Sequence, residues 1–282
     1  MARTSAVIVV LALLVAPVFS ATYNYDFGTD TGSFSTASTE DLSFLPPAPS
    51  GTTRVRVGAN GGSFTLANPG DTSVGSGSEL QVVAPTTTSR NKFAITDFDG
   101  GKTVMVGFTV KFGADVPGID TIPRWYFLAG NGSSFEGGSN LVSNQCFAGL
   151  RWDYTNSAAL ETRARQETGW VSGTVVDGEF EEGTVYRVEV VMNNSTSSVN
   201  YNHQASGSTF TLAANRYDVW INGFRYPALQ KGELPNDSAI DSFMFYGETS
   251  VSNIAVMYLD DIVYRNDLLS PLPVELDMFR VY

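Results

Sequence analysis

Residues 104–112 read VMVGFTVKF, with apolar side chains at Val104, Val106, Phe108, Val110 and Phe112. A period of two places alternate side chains on one face, so the stretch is expected to be a half-buried β-strand. Working outward, similar short runs recur at 80–84, 125–129, 148–154, 186–192, 243–246 and 256–264. Helical periodicity is nearly absent, and 27 Gly and 12 Pro punctuate the runs. Many short strands without a helix-length pattern make the chain all-β, a sandwich or a barrel. No repeat at a fixed period points to a propeller or a β-helix.

The stretch 217–229, YDVWINGFRYPAL, adds a hairpin. Asn222-Gly223 sits between two alternating runs, and both residues tolerate the positive φ of a two-residue turn. Val219 and Ile221 alternate with Asp218 and Trp220 and are the better core pair. Trp220 is then left on the other face, where it joins Trp125 and Trp152 as an aromatic on or beside a strand. For each of these rings, core packing competes with a ligand platform. Phe224 and Tyr226 follow the turn.

Met1-Ala2-Arg3, an apolar run over 6–18 and small residues near Ser20-Ala21 read as a secretory signal peptide over 1–20. The run is shorter than the about 20 residues that a membrane span needs. The mature protein is therefore expected to be secreted or on the cell surface, with no membrane insertion. The formal net charge is −12, and cleavage removes Arg3 but no acid. Such a balance argues against nucleic acid or anionic membrane as a partner. Cys146 is the only cysteine, so no intrachain disulfide is available and the fold must rest on its core. We read Cys146 as a small buried hydrophobe. The stretch Pro46-Pro47-Ala48-Pro49-Ser50-Gly51 reads as a surface loop after the first strand. A domain boundary is placed after 268, where Ser270-Pro271-Leu272-Pro273 interrupts the pattern. The domain is expected to span 21–268, and 269–282 to be a linker and the start of a following β module.

Three stretches resemble the concanavalin A-like jelly-roll superfamily, which includes laminin-G-like domains, legume-type lectins and laminarinase-type glucanases. They are the hairpin Asp218-Val219-Trp220-Ile221-Asn222-Gly223, the closing strand Tyr258-Leu259-Asp260-Asp261-Ile262-Val263-Tyr264, and the strand Gly183-Thr184-Val185-Tyr186-Arg187-Val188-Glu189-Val190. The resemblance implies a two-sheet antiparallel jelly-roll sandwich. It also implies a structural calcium between the first and last strands, for which Asp26 and Asp261 are the candidate carboxylates. No other cofactor is expected. The tail Pro271-Leu272-Pro273-Val274-Glu275-Leu276 separately resembles the opening of a C-terminal module in proteins that Bacteroidetes-type bacteria export by the type IX route. It stops at Tyr282, before a complete module, and we read the chain as a piece of a longer protein.

Glucanases of that superfamily carry a Glu-x-Asp-x-x-Glu strand, and no such stretch occurs here. The acidic cluster Asp177-Gly178-Glu179-Phe180-Glu181-Glu182-Gly183 is bounded by Gly and reads as a solvated loop. His203 sits among Ser, Asn and Gly in an expected loop. One His and one Cys cannot build a His/Cys zinc site. The unusual segment is 160–167, LETRARQE, followed by Trp170. Alternation is expected to put Glu161, Arg163, Arg165 and Glu167 on one face, with Arg151 and Asp153 on the preceding strand. A solvated face with cross-strand ion pairs is one reading. The other is a polysaccharide-binding face, on which Arg, Asp and Glu bracket sugar hydroxyls and Trp170 carries a ring face. Some alginate lyases of the superfamily have an Arg-x-Glu-x-Arg strand, but the order here is Glu-x-Arg-x-Arg and no catalytic residue is assigned. The function read from the sequence is a non-catalytic carbohydrate-binding or adhesion module. A polysaccharide-degrading enzyme and a ligand-free spacer are the alternatives.

Overall fold

The computed structural model describes residues 21–38, 44–58, 60–67, 74–75, 77–86, 88–113, 123–137, 141–155, 159–173, 175, 180–203, 205–250 and 255–268. The segments 1–20 and 269–282, which carry the signal-peptide reading and the second resemblance, lie outside them, as does 177–179 of the acidic cluster.

Nineteen strands run through the described residues. First come β1 (Thr22–Tyr25), β2 (Gly32–Phe34), β3 (Thr52–Arg56), β4 (Ser63–Leu66), β5 (Leu80–Val83) and β6 (Asn91–Thr96). The middle of the chain forms β7 (Thr103–Phe112), β8 (Arg124–Gly130), β9 (Cys146–Tyr154), β10 (Ala159–Gln166), β11 (Gly169–Ser172) and β12 (Phe180–Glu181). Then follow β13 (Val185–Asn193), β14 (Val199–His203), β15 (Ser208–Leu212), β16 (Arg216–Ile221), β17 (Phe224–Gln230), β18 (Ser242–Glu248) and β19 (Val256–Arg265). The runs read from alternation all fall on strands.

The fold is a two-sheet antiparallel jelly-roll sandwich. One sheet has nine strands, in the order β17-β16-β13-β7-β19-β5-β4-β2, with β1 beside β19. The other has eight, in the order β11-β10-β9-β8-β18-β6-β3, with β12 beside β10. The paired strands are antiparallel. Inner faces meet in an aromatic core. Phe108 packs on Phe127 and Phe245, with ring centres at 5.1 and 4.8 Å, and Phe112 packs on Trp152 at 5.1 Å. Trp125 and Trp152 are wholly buried there, which settles both in favour of core. Cys146 is buried, and burial pushes its thiol up to about 12.

Asn222 and Gly223 take φ of +48° and +84°, the left-handed pair the hairpin turn needs, and close β16 on β17. Other expectations need correction. The strand at 104–112 is buried on both faces, because the polar hairpin β14–β15 covers part of its outer side. That hairpin contains His203, which is in a strand and not a loop. Phe180 of the acidic cluster enters the core from β12. The Pro-rich loop follows the second strand, and its Pro46 carbonyl accepts from Tyr25 Oη at 2.8 Å. No helix among the described residues is long and apolar enough to cross a membrane.

Candidate functional site

The outer face of the eight-stranded sheet follows from parity. In β8, Trp125, Phe127 and Ala129 enter the core, so Arg124, Tyr126 and Leu128 take the other side. By the same alternation this face receives Arg54 and Arg56 of β3, Lys92 and Ala94 of β6, and Met244, Tyr246 and Glu248 of β18. From β9 to β11 it receives Arg151, Asp153, Glu161, Arg163, Arg165 and Trp170. The register aligns Arg56, Lys92, Tyr246, Tyr126, Arg151 and Arg163 in one row across six strands.

These side chains are tied together. Tyr126 stacks on Tyr246 with ring centres at 4.3 Å, and Trp170 meets Tyr126 edge-on at 5.5 Å. The guanidinium carbons of Arg151 and Arg165 each lie 5.7 Å from the centre of the Trp170 ring, within cation–π range. Asp153 is only 5% exposed and sits beneath three arginines. Arg151 donates to its Oδ2 at 3.0 and 2.6 Å, while Arg124 Nε approaches Oδ1 at 3.3 Å and Arg163 Nε approaches Oδ2 at 3.2 Å. Glu161 accepts from Arg163 at 2.8 Å. Glu248 accepts from Tyr126 Oη at 2.9 Å and from Arg90 Nε at 3.4 Å. Burial first, and then the Glu248 charge, push the Tyr126 hydroxyl well above the ordinary phenol range.

Part of the face is roofed by residues of 131–145. Phe135 and Leu141 pack on the apolar patch of Ala94, Leu128, Met244 and Tyr246. Lys92 Nζ donates to the carbonyls of Ser134, at 3.1 Å, and Glu136. Burial, then Arg56 and Arg90, push this amine down to about 7. Arg165 donates to Ser143 Oγ at 3.1 Å. Gly149 makes the close packing possible: a Cβ there would lie 2.5 Å from Leu128 Cδ2 and 3.2 Å from Arg165 Cβ.

Six sequence candidates thus share one face: Arg151, Asp153, Glu161, Arg163, Arg165 and Trp170. Glu167 does not belong with them. The strand β10 ends at Gln166, and Glu167 turns the chain at φ +48°, which breaks the alternation. Arg54, Arg56, Arg90, Lys92, Arg124, Tyr126, Tyr246 and Glu248 were missed. Alternation within Arg54-Val55-Arg56 and Arg124-Trp125-Tyr126 could have placed some of them. Eight of the 17 Lys and Arg of a chain with net charge −12 gather on this face.

Burial first, and then the charge of Asp26, raise the Asp261 carboxyl, so these two calcium candidates lie close together. They follow the last pair of the β1–β19 register, Tyr25 with Ile262; Asp261 accepts from Thr109 at 3.3 Å and Asp26 accepts from the Gly28 amide at 3.0 Å. Among the described residues, no group of three or more His, Cys, Asp or Glu could hold a metal ion. The residue with the unusual environment is Asp260, wholly buried with neither carboxyl oxygen hydrogen-bonded. Burial, then Asp261, push it up to about 8, which favours its neutral form.

On the outer face of the other sheet, Trp220 is covered by β14–β15. His203 stacks on it at 3.5 Å, and its Nε1 donates to Tyr201 Oη at 3.0 Å. Its face was read correctly from the alternation, but the ring offers no open platform. Phe224, at the turn, is 71% exposed.

No protein-family description matches this sequence, and no curated protein sequence matches it. Similar folds occur among solved structures. An endo-β-1,4-glucuronan lyase from the fungus Trichoderma reesei is 11% identical, with 76% of this chain and 90% of that one covered and a TM-score of 0.47. An alginate lyase from Chlorella virus is 9% identical, with 78% and 94% covered and a TM-score of 0.47. Lectin II from Ulex europaeus is 15% identical, with 84% and 99% covered and a TM-score of 0.41. These likenesses assign no family.

Proposed function

We propose that this chain binds polysaccharide on the outer face of the eight-stranded sheet, as a non-catalytic carbohydrate-binding or adhesion module acting outside the cell. The observation that carries the reading is Trp170, a partly exposed indole held between Arg151 and Arg165 beside a cluster of polar side chains. An indole offers the C–H face of a pyranose a flat apolar surface, and neighbouring guanidinium groups offer its oxygens hydrogen-bond donors. Export, expected from residues 1–20, would place such a face where polysaccharides are met.

Catalysis is disfavoured by the state of the same side chains. Asp153 and Glu161 are committed to arginines, so neither is poised as the acid or base of a glycosidase. Tyr126 donates to Glu248 and holds its proton more tightly than a free phenol, which makes it a poor base near neutral pH. The single histidine lies buried on the opposite sheet. A Tyr/His lyase pair is therefore not assembled on this face.

Polysaccharide pull-down and thermal melting of Trp170→Ala beside wild type test the reading. Lost binding with a small change in melting is expected. A large drop in melting would make Trp170 a structural residue. Release of reducing ends or unsaturated products by purified wild type would overturn the non-catalytic part.

A further inference from the structure

Eight Lys and Arg share this face with Asp153, Glu161 and Glu248, and that excess of donors selects the ligand. Asp153 Oδ2 is taken by Arg151 and Arg163, and Oδ1 lies against Arg124. Both oxygens of Glu161 face Arg163, and those of Glu248 face Tyr126 and Arg90. A neutral sugar hydroxyl binds best where it can both donate and accept. Here the carboxylates already face arginines or Tyr126, and the groups in excess are guanidiniums, which only donate. Arginine also presents five donors, more than Asp153 can absorb from three residues. Arg124 and Arg163 keep 41% and 30% of their side-chain surface exposed, so donors of this cluster reach solvent.

From this geometry we infer that Arg124, Arg151 and Arg163, gathered around the buried Asp153, form a subsite for the anionic substituent of an acidic polysaccharide. Three cations against Asp153 and Glu161 leave excess positive charge at a point about one strand spacing in each direction, roughly 5 Å, on a strongly acidic protein. A carboxylate or a sulfate ester accepts from several N–H groups at once and needs no acceptor in return. Asp153 acts as a positioning residue, holding the three side chains together against their mutual repulsion. The neighbouring Trp170 ring lies within reach of Arg151, so ring contact and charge contact fall on adjacent parts of one chain. The inference rests on the polysaccharide-binding reading and narrows it to acidic polymers.

The test is a binding panel on the full chain. Alginate and polygalacturonate supply carboxylates, dextran sulfate supplies sulfate esters, and a β-1,3-glucan and a galactomannan are neutral. Wild type should bind at least one acidic polymer, with affinity falling as salt is raised, and the carboxylate and sulfate arms identify the group. Arg124→Gln and Arg163→Gln should each weaken that binding about tenfold or more, the scale of one charge-assisted hydrogen bond. Lys102→Gln removes the same charge from an exposed site that pairs with Asp237 outside this face, and should leave affinity unchanged. Thermal melting confirms that each variant is folded, and the exposed Arg124 provides a readout if Arg163→Gln is unstable. Equal binding of neutral and acidic polymers without salt dependence would overturn the subsite while sparing the broader reading. Equal loss in Lys102→Gln would reduce it to general charge attraction. No binding to any polymer would overturn both.

Discussion

Asp153 and Asp218 are two buried carboxylates, one on each outer face of the sandwich, and both sit under arginine. Asp218 is fully satisfied: Tyr201 Oη donates at 2.6 Å, Arg225 donates twice at 2.8 and 2.6 Å, and the Ala228 amide donates at 2.7 Å. One arginine answers one aspartate, and the hairpin β14–β15 seals the ensemble. Asp153 gathers three arginines and remains beneath an open surface. The same pairing therefore serves two ends. Where donors and acceptors balance, the network locks a strand pair; where donors exceed acceptors, it leaves binding capacity facing solvent.

The largest effects should separate the two faces. Asp218→Ala should cost about 3–5 kcal/mol of stability, since it strands Arg225 and the Tyr201 hydroxyl. Asp153→Ala should cost about 1–3 kcal/mol, because its arginines can turn to water. Denaturant titration of both variants measures the difference, and equal losses would break the comparison. The tryptophans should follow suit. Trp220→Ala, under the hairpin, is expected to lose about 3–5 kcal/mol. Trp170→Ala should lose about 1 kcal/mol, the scale of its arginine contacts.

Much of this was legible in the sequence. The period of two located the strands, and Asn222-Gly223 fixed a hairpin. The segment 160–167 with Trp170 marked half of the face. The other half was hidden because it depends on which strands pair. Tyr126 and Glu248 are 122 positions apart, and no local pattern says that β8 and β18 lie side by side. Glu167 was misplaced for a local reason, since alternation holds only while the strand lasts. The hairpin β14–β15 was missed because one of its sides is solvated. Asn200, Asn202, Thr209 and Thr211 hide the apolar stripe of Tyr201 and Leu212 that packs below.

Asp260 yields a subtler effect. Its folded pKa, pushed up to about 8, lies above the ordinary carboxylate value of 3.8. The neutral form is therefore favoured by folding, and its contribution is full below about pH 4. It is lost progressively as pH rises towards 8, because the unfolded chain releases a proton that the folded chain retains. Melting of wild type should thus decline over that window through this residue, and Asp260→Asn should flatten the decline. An unchanged pH slope in the variant would show that Asp260 is ionised in the fold. The smallest effect is expected at Phe224. Phe224→Ser should shift stability by about 0.5 kcal/mol or less and leave binding intact. Loss of binding there would move the ligand to the hairpin tip.

The central claim is that ligand meets the eight-stranded sheet and not its partner. Amide hydrogen exchange of wild type, with and without saturating acidic polysaccharide, tests it most directly. Slowed exchange should be confined to β8, β9, β10 and β11 around Arg124, Arg151, Arg163 and Trp170, with β14, β15 and β16 unchanged. Protection centred on the Trp220 hairpin, with none at β8 to β11, would contradict the account.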